Sequence, residues 1–562
     1  MYVRTVTSKG RQYVQLAHNI RHPDTGVSKP QILYNFGRAD QLDLDALRRL
    51  VKSIGRFLEP GEARAIEEEL GLEVPFEYMG SRRLGGTWLL DALWRKLGVG
   101  ETLGRLLSKR RFTTPVERLV FAMVGNRALA PGSKLALEDW VGGEVYIEGL
   151  PEVEVHQLYR AMDFLLEANE EIQRDVFFSV ADLYNLECDL LFLDTTTTYF
   201  EIEGEDGDTV GDDGETVVEE GLRKRGLSKD DRSGAAQVVI GWAVTRGGIP
   251  VRCWVWPGNS CDQNLVKEVK RDLNGWRLGR IITVLDAGFN SEVNRRVLQG
   301  AGGHFIIGEK MRQGSKGVPV EALRRPGRYK EIAGGLTIKE VTVGKGPTRQ
   351  RFVVVRSSEE AEHDRARRED IVTEVERRLA ELSQLDGAPH NKAACALRAH
   401  PTYGRYVRQT KTGKLMLNRE KIRQEEQLDG KFLVRVSDDQ LSAEDAALGY
   451  KQLWQVERVF KDLKHVIDIR PLYHRLEDRI RAHVLLCWLA MMLIRLAENE
   501  TGQTWHQMRR HLRRLEVGIH QTRTGEVWQS NRPTEELEGL FQALGLKLPP
   551  RYLAIHPAGA TP

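Results

Sequence analysis

The chain has 562 residues, of which 41% are apolar and 29% are charged, with 53 glycines and 20 prolines. This length predicts several domains with a buried core, and the composition excludes intrinsic disorder, a collagen repeat and a low-complexity chain. The net charge of +3 is too small to indicate nucleic-acid binding by itself, so that argument depends on local clusters of charge.

The cysteines and the apolar runs place the protein in the cytoplasm. The five cysteines include no CxxC pair, which indicates neither a disulfide framework nor a clustered zinc site. The longest apolar stretch, Val484 to Ile494, has 11 residues, whereas a membrane span needs about 20. The sequence therefore predicts no membrane contact and a buried helix near residue 490.

The N-terminal third divides into a β part and a helical part. Residues 1–40 predict a small three-stranded β meander, because short runs of Val, Tyr, Leu and Ile alternate with turn residues. Residues 41–187 carry apolar side chains at helical spacing and predict a bundle of five to seven helices.

From residue 188 the pattern predicts an α/β domain with an insertion. Short, continuous apolar runs in 188–311 predict strands buried on both faces. Residues 312–428 interrupt this pattern with further strands, a charged helix and a hairpin around Thr412 and Gly413, which we interpret as a β-rich insertion domain. The α/β pattern resumes in 429–500 with long helices at about 441–466 and 475–499, and 501–562 predicts a C-terminal helical tail. The acidic segment 201–220 is interpreted as a solvated loop.

Three acidic residues stand where catalysis would use them. Asp194 and Asp286 each end an apolar strand, the position at which open α/β sheets expose functional groups. A turn or N-cap aspartate is the alternative for each. Glu457 shares a helix face with Tyr450 and Lys464, within about 40° of one another on a continuous helix. An exposed salt bridge from Glu457 to Lys461 is the alternative there.

These residues together resemble the bacterial insertion-sequence transposases of the DDE class. The resemblance is to the insertion-sequence-four-like group, whose signature helix carries Tyr, Arg, Glu and Lys at the spacing of Tyr450, Leu453, Glu457 and Lys464. Segments 226–232, 256–262 and 471–483 are also similar to that group, and the resemblance covers about 188–500. Leucine at position 453 departs from the arginine of the signature.

The resemblance implies a ribonuclease-H-like catalytic domain, interrupted by an insertion, in which Asp194, Asp286 and Glu457 hold two Mg²⁺ ions, with Mn²⁺ as an alternative. The carboxylates are 92 and 171 residues apart in sequence. Two ions held by hard oxygen ligands can activate a water or a 3′-hydroxyl and stabilise the leaving oxygen. Four side chains of the signature helix are expected to contact DNA: Tyr450, Arg458, Lys461 and Lys464. Lys461 is expected to replace the missing arginine, and Leu453 to serve packing.

The insertion also carries a basic hairpin. Seven basic residues and one acid, Glu420, lie between positions 405 and 423. Basic side chains interleaved with tyrosines on a β ribbon fit binding to a DNA backbone. The expected DNA contacts are Arg405, Arg408, Lys411 and Lys414. A solvated edge hairpin protected by its charge is the alternative.

The sequence therefore predicts a transposase that cleaves DNA at terminal inverted repeats and joins the ends to target DNA. The resemblance implies a homodimer on paired ends, end recognition by the N-terminal region, and a nucleoid-associated protein of the bacterial cytoplasm. Two alternatives remain: a catalytically inactive DNA-binding descendant, and a nuclease of the same fold that does not transfer strands.

Overall fold

The computed structural model describes residues 1–21, 27–55, 57–58, 76–108, 110, 114–184, 189–201, 204–210, 217–230, 232, 234–276, 280–311, 318–522 and 525–557. The chain forms two compact units. The first comprises Met1–Ser81, Gly518–Gln529 and Arg551–Pro562, and the second comprises Arg82–Val517 and Ser530–Pro550.

The strands are β1 Tyr2–Ser8, β2 Arg11–Arg21, β3 Ser28–Arg38, β4 Phe76–Arg83, β5 Leu190–Tyr199, β6 Thr209–Val210, β7 Val217–Glu219, β8 Gln237–Val244, β9 Pro250–Pro257, β10 Ile282–Leu285, β11 His304–Glu309, β12 Lys330–Ile332, β13 Leu336–Val343, β14 Gln350–Ser357, β15 Val407–Gln409, β16 Leu415–Leu417, β17 Lys431–Val436, β18 Glu516–Thr522, β19 Gly525–Ser530 and β20 Tyr552–Pro557.

The helices are α1 Leu44–Gly55, α2 Gly85–Lys96, α3 Val99–Leu107, α4 Val116–Leu129, α5 Lys134–Asp139, α6 Val155–Glu167, α7 Asn169–Tyr184, α8 Asp262–Asn274, α9 Glu292–Gln299, α10 Val318–Arg324, α11 Ser358–Leu382, α12 Gly387–Ala399, α13 Arg419–Glu426, α14 Ala443–Lys451, α15 Trp454–His465, α16 Glu477–Thr501, α17 Trp505–Leu512 and α18 Glu535–Ala543.

The first unit contains the predicted meander and a second sheet that the sequence did not indicate. Strands β1, β2 and β3 pair antiparallel in chain order, as expected. A four-stranded sheet has the order β20-β19-β18-β4. The predicted helical tail, 501–562, is therefore wrong: it holds helices α17 and α18 together with three strands, and these strands share a sheet with β4 from the region predicted to be helical.

The second unit is built around the buried helix α16. This helix is apolar all round, and the apolar window that would be long enough to span a membrane is 94% buried inside the protein. Helices α4 and α6 pack directly against it. The prediction of a buried helix near residue 490 is confirmed, and the region predicted to be helical, 41–187, holds helices α1 to α7 together with strand β4.

The second unit also contains a nine-stranded mixed sheet, in the order β12-β13-β14-β17-β11-β10-β5-β8-β9. Strands β5, β8 and β9 are antiparallel neighbours, whereas β10 runs parallel to β5, and β11 runs parallel to β10. The cluster that packs one face includes Leu191, Leu193, Trp254, Val266 and Phe289. Both faces of β8 are buried, which explains its continuous apolar sequence.

The boundary predicted for the insertion, 312–428, needs correction. Strands β12, β13 and β14 extend the central sheet, because β14 pairs with β17 and β17 pairs with β11. Residues 358–428 leave this sheet and have their own small core, which includes Val375, Leu397 and Tyr406. Residues 312–317, Cys188 and eight of the twenty residues of the acidic segment 201–220 lie outside the described residues.

Candidate active site

Asp194 and Asp286 lie on neighbouring parallel strands. In the register of β5 and β10, Leu193 is opposite Leu285, and each aspartate is the next residue of its chain. Asp286 directly follows β10, as expected, whereas the prediction that Asp194 ends its strand is wrong, because β5 continues to Tyr199 through its pairing with β8. Neighbouring strands are about 4.8 Å apart, so the two carboxylates start from adjacent backbone positions. The sheet therefore brings together two residues that are 92 positions apart in sequence.

Asp194 sits in a polar cluster that also includes Asp262 and Lys229. Lys229 Nζ is 3.8 Å from Asp194 Oδ1 and 3.3 Å from Asp262 Oδ2. Thr195 Oγ1 donates a 2.6 Å hydrogen bond to Asp262 Oδ1. Burial raises the pKa of Asp194 to about 6; Lys229 opposes this shift, and the carboxylates of Asp262 and Asp286 add to it.

Asp286 is linked to the signature segment through Tyr450. The Tyr450 hydroxyl donates a 3.3 Å hydrogen bond to Asp286 Oδ1. Burial raises the pKa of Tyr450, and the negative charges of Asp286 and Glu457 raise it further. Gly308 allows this approach, because a Cβ at that position would lie 2.2 Å from the Tyr450 hydroxyl oxygen. Tyr450 is therefore held between the strand end and the helix that carries Glu457.

Glu457 is exposed on α15, and this helix packs against β5 and β8. Phe460 of α15 contacts Trp242, with ring centroids 6.5 Å apart, and Trp242 is the cross-strand partner of Asp194. Strand alternation places Asp194 on the face opposite Leu191 and Leu193. The helix that carries Glu457 thus contacts the strand pair that carries Asp194.

The predicted continuous helix at 441–466 is wrong. The chain turns at Gln452 and Leu453, so Tyr450 ends α14 and Glu457 lies in the first turn of α15. The angular relation calculated for Tyr450, Glu457 and Lys464 on one helix therefore does not hold. Leu453 is 8% exposed, so it does serve packing, and this burial at the turn explains why a leucine is accommodated there.

Asp262 and Lys229 are candidate site residues that the sequence analysis did not assign. Both lie in segments that resemble the transposase group, 256–262 and 226–232, but neither follows a predicted strand end directly. Gly288 lies between two of the acids, since a Cβ there would be 3.7 Å from Asp262 Oδ2 and 3.9 Å from Asp286 Oδ2. The proximity of Asp262 comes from the start of α8, which sequence spacing does not reveal.

The donor set fits a divalent cation. The carboxylates of Asp262 and Asp286 lie near Asp194, with Lys229 as the neighbouring cation; burial is the main cause of the raised pKa of Asp194, and the two other carboxylates add to it. Carboxylate oxygens are the ligands that Mg²⁺ and Mn²⁺ prefer. Within the described part of the chain, no three His, Cys, Asp or Glu side chains are already grouped closely enough to complete a metal site.

The basic side chains predicted to contact DNA differ in their surroundings. Lys464 Nζ binds Asp230 Oδ1 at 2.6 Å, and Arg458 binds Glu498 at 3.0 Å. Both cations therefore have carboxylate partners within the protein, and their contact with DNA stays a prediction. Lys461 is exposed, and the described residues include no ion pair between Lys461 and Glu457.

The predicted hairpin is present but shorter than expected. Strands β15 and β16 pair antiparallel, and Gly413 takes a positive φ of +87° in the turn. Arg408, Lys411 and Lys414 are exposed. Arg405 instead lies in a 3-10 turn, 3.7 Å from the buried Glu425.

The hairpin tyrosines do not form the expected stacking surface. Tyr406 is 1% exposed, and its hydroxyl donates a 2.8 Å hydrogen bond to Glu425. Tyr403 stacks on His400 at a centroid distance of 4.1 Å. The available charge is thus at the hairpin strand and tip, without exposed tyrosines beside it.

Two family models match parts of this chain. Residues 243–493 match the transposase DDE domain, and residues 3–65 match the N-terminal domain of IS1634 family transposases. The DDE match contains Asp286 and Glu457 and begins after Asp194. No curated protein sequence matches the chain significantly. A structure titled "Cryo-EM structure of piggyBac transposase synaptic complex with hairpin DNA" is similar at 12% identity and a TM-score of 0.34, covering 76% of this chain and 79% of that chain.

The two domain matches define an enzyme that acts on DNA through a DDE domain. The protein is a DDE-type DNA transposase, and its function is DNA transposition. Enzymes with this domain generally use divalent metal ions.

Proposed function

We propose that this transposase cleaves DNA at the ends of its mobile element and joins those ends to target DNA, with Asp194, Asp286 and Glu457 as its catalytic carboxylates. The observation that carries the proposal is the register of β5 and β10, which places Asp194, in the middle of β5, beside Asp286, which directly follows β10. Glu457 follows from the packing of α15 on β5 and β8.

The strand order supports a ribonuclease-H-like catalytic domain. Three antiparallel strands, β9, β8 and β5, are followed by two parallel ones, β10 and β11. The strands β17, β14, β13 and β12 extend this arrangement on the β11 side. The finer assignment to the insertion-sequence-four-like group rests on the Tyr450, Glu457 and Lys464 spacing.

The carboxylates would hold two divalent ions, Mg²⁺ or Mn²⁺, which activate the attacking hydroxyl or water and stabilise the leaving oxygen. Tyr450 orients Asp286 through its hydroxyl. Lys229 neutralises part of the charge on Asp194 and Asp262. Lys461, exposed on the helix of Glu457, supplies a cation for the DNA backbone.

The DNA partners are the terminal inverted repeats and the target. The match of residues 3–65 to a transposase N-terminal domain supports a role for the first unit in recognising the element ends. We further propose a homodimer on paired ends, because cleaving and joining two ends requires both to be held together. We also propose that the protein is associated with the nucleoid, where its DNA partners lie.

The test is cleavage and joining of linear DNA that carries the element ends, with Mg²⁺, by Asp194→Asn, Asp286→Asn and Glu457→Gln variants. Each variant should lose cleavage and keep DNA affinity within about twofold, because removing a carboxylate charge affects metal binding and not the protein–DNA surface. Asp370→Asn is the control, since Asp370 is an exposed acid on α11.

Near-normal cleavage by any of the three variants would contradict the assignment of that residue. Cleavage without joining by the unaltered protein would instead favour the nuclease alternative. DNA binding without either reaction would favour the inactive descendant.

A further inference from the structure

A cavity in the second unit has several basic residues among its lining side chains. It has a volume of about 310 Å³ and lies between the helical region and the segment that follows α15. Arg127 comes from α4, Lys134 from α5, His474 from the segment after α15 and His483 from α16. Asp468 also lines the cavity and is the acid among its lining residues.

Arg127 and Lys134 are buried without partners. Their exposed fractions are 5% and 4%, and within the described residues neither makes a hydrogen bond or an ion pair. Arg127 Nε is buried without a hydrogen-bond acceptor. Other cations near the cavity are already paired: Arg470 binds Asp230 and Arg479 binds Asp163. Among the described residues that line the cavity Asp468 is the acid, and its side chain is exposed.

The two imidazoles in the cavity, of His474 and His483, are uncharged. Burial lowers the pKa of His474 to about 4 and holds the pKa of His483 well below its ordinary value. Both rings are therefore neutral near pH 7 and can still donate a hydrogen bond each. His483 Nδ1 is buried without a partner.

A buried cation without a partner is costly, and its usual response is to lose its proton. Burial, with Arg127 nearby, lowers the pKa of Lys134 to about 7. An anion in the cavity would restore the charge of Lys134, accept hydrogen bonds from Arg127, and use the neutral imidazoles as further donors. The cavity, at about 310 Å³, is large enough for a tetrahedral oxyanion.

We propose that this cavity binds a phosphate group of the DNA backbone at a site separate from the catalytic carboxylates. The proposal rests on the proposed function for its DNA partner. Leu472 N donates a 3.1 Å hydrogen bond to Tyr199 O, which places this segment at the end of β5, five residues beyond Asp194. At about 3.3 Å per residue the separation is about 17 Å. A DNA strand with one phosphate here and its cleaved bond at the carboxylates would span about five nucleotides.

The test uses the full chain with Lys134→Gln and Arg127→Gln, and Arg160→Gln as the control. Arg160 is an exposed cation on α6, beside the cavity residue Tyr159. The first measurement is the thermal midpoint in inorganic phosphate compared with chloride at equal ionic strength. The second is the salt dependence of affinity for a DNA duplex.

Phosphate should raise the midpoint of the unaltered protein and of the control, because a ligand that binds only the folded state stabilises it. Each cavity variant should bind phosphate at least tenfold more weakly. The slope of log affinity for duplex against log salt should fall by about one unit in each cavity variant and stay unchanged in the control. Without phosphate the cavity variants should melt no lower than the unaltered protein, because they remove a buried unpaired charge.

Three results would overturn the proposal. Unchanged phosphate affinity in both variants would show that the cavity does not bind the anion. A lower midpoint without phosphate, together with an unchanged duplex slope, would make the two cations structural. Phosphate binding lost with the duplex slope unchanged would assign the site to free phosphate or a nucleotide rather than DNA. Failure of the carboxylate assignment is separate, since it appears only in cleavage.

Discussion

Lys464 separates a structural role from a DNA-binding role most clearly. It is the lysine of the signature spacing, and yet its ammonium binds Asp230 Oδ1 at 2.6 Å, with side-chain exposures of 13% and 3% for the two partners. Arg470 binds the same oxygen at 2.6 Å. We therefore expect Lys464→Met, which keeps the length of the apolar stem, to reduce stability.

The magnitude follows from what remains after the substitution. A hydrogen bond to a charged group contributes about 1.5–3 kcal/mol when its partner is shielded from water. Asp230 would still have Arg470 and would not be left as an unpaired charge, so the cost should stay within that range. Asp230→Asn removes the shared partner of both cations, and the expected cost rises to about 3–5 kcal/mol.

The assay is denaturant unfolding, followed by tryptophan fluorescence, for Lys464→Met beside Lys461→Met. Lys461 is exposed on the same helix and is the matched control, with an expected change within about 0.5 kcal/mol. The salt slope of DNA affinity is measured on the same preparations. If Lys464→Met unfolds like the unaltered protein while its salt slope falls by about one unit, then Lys464 contacts DNA phosphate and its pairing with Asp230 is not its working state.

Three further predictions follow. The exposed cations of the hairpin are Arg408, Lys411 and Lys414. Replacing all three by alanine should lower the slope of log DNA affinity against log salt by up to about three units. An unchanged slope would show that these side chains do not contact DNA and only solvate the edge of the hairpin. Glu498→Ala should cost about 1.5–3 kcal/mol in denaturant unfolding, because it removes one of the two carboxylates that bind the buried Arg495 and leaves Asp462, whereas Arg458→Ala should cost under about 1 kcal/mol because Arg458 is 38% exposed; equal costs would refute the distinction. The pKa of His474 is lowered from 6.5 in the unfolded chain to about 4 in the folded protein, so the unfolded chain binds the proton first as the pH falls. The free energy of unfolding should therefore decrease by roughly 1–3 kcal/mol between pH 6.5 and about pH 4. His474→Asn should flatten this part of the pH profile of the thermal midpoint, and an unaltered profile would contradict the prediction.

The central strands could be predicted from the sequence because both of their faces are buried. Continuous apolar runs have no other stable place than the middle of a covered sheet, and the ends of those runs located Asp194 and Asp286. The pairing of β5 with β10 could not be read in the same way, because register depends on contacts between segments far apart in sequence. The helical spacing of 85–184 likewise gave the helices and not what they pack against.

The break between α14 and α15 shows where periodicity fails. The segment from 450 to 466 contains no glycine or proline to mark a helix end, and its apolar spacing continues through Leu453. The turn is stabilised by tertiary packing, since Leu453 is buried and Tyr450 reaches across to Asp286. A break supported by contacts with another part of the sheet leaves no local signal.

The same reasoning explains why cations were harder to assign than carboxylates. The strand that carries an aspartate determines where its short side chain lies, whereas a long basic side chain can bind an acid from any neighbouring segment. Arg458 and Lys464 meet Glu498 and Asp230, which lie 40 and 234 residues away. Lys134 is the opposite case, because its segment gives no sign of a site and only burial without an acidic partner distinguishes it. In this transposase the candidate DNA-binding cations are therefore the basic side chains that have no acidic partner within the described part of the fold. The density of basic residues along the chain does not identify them.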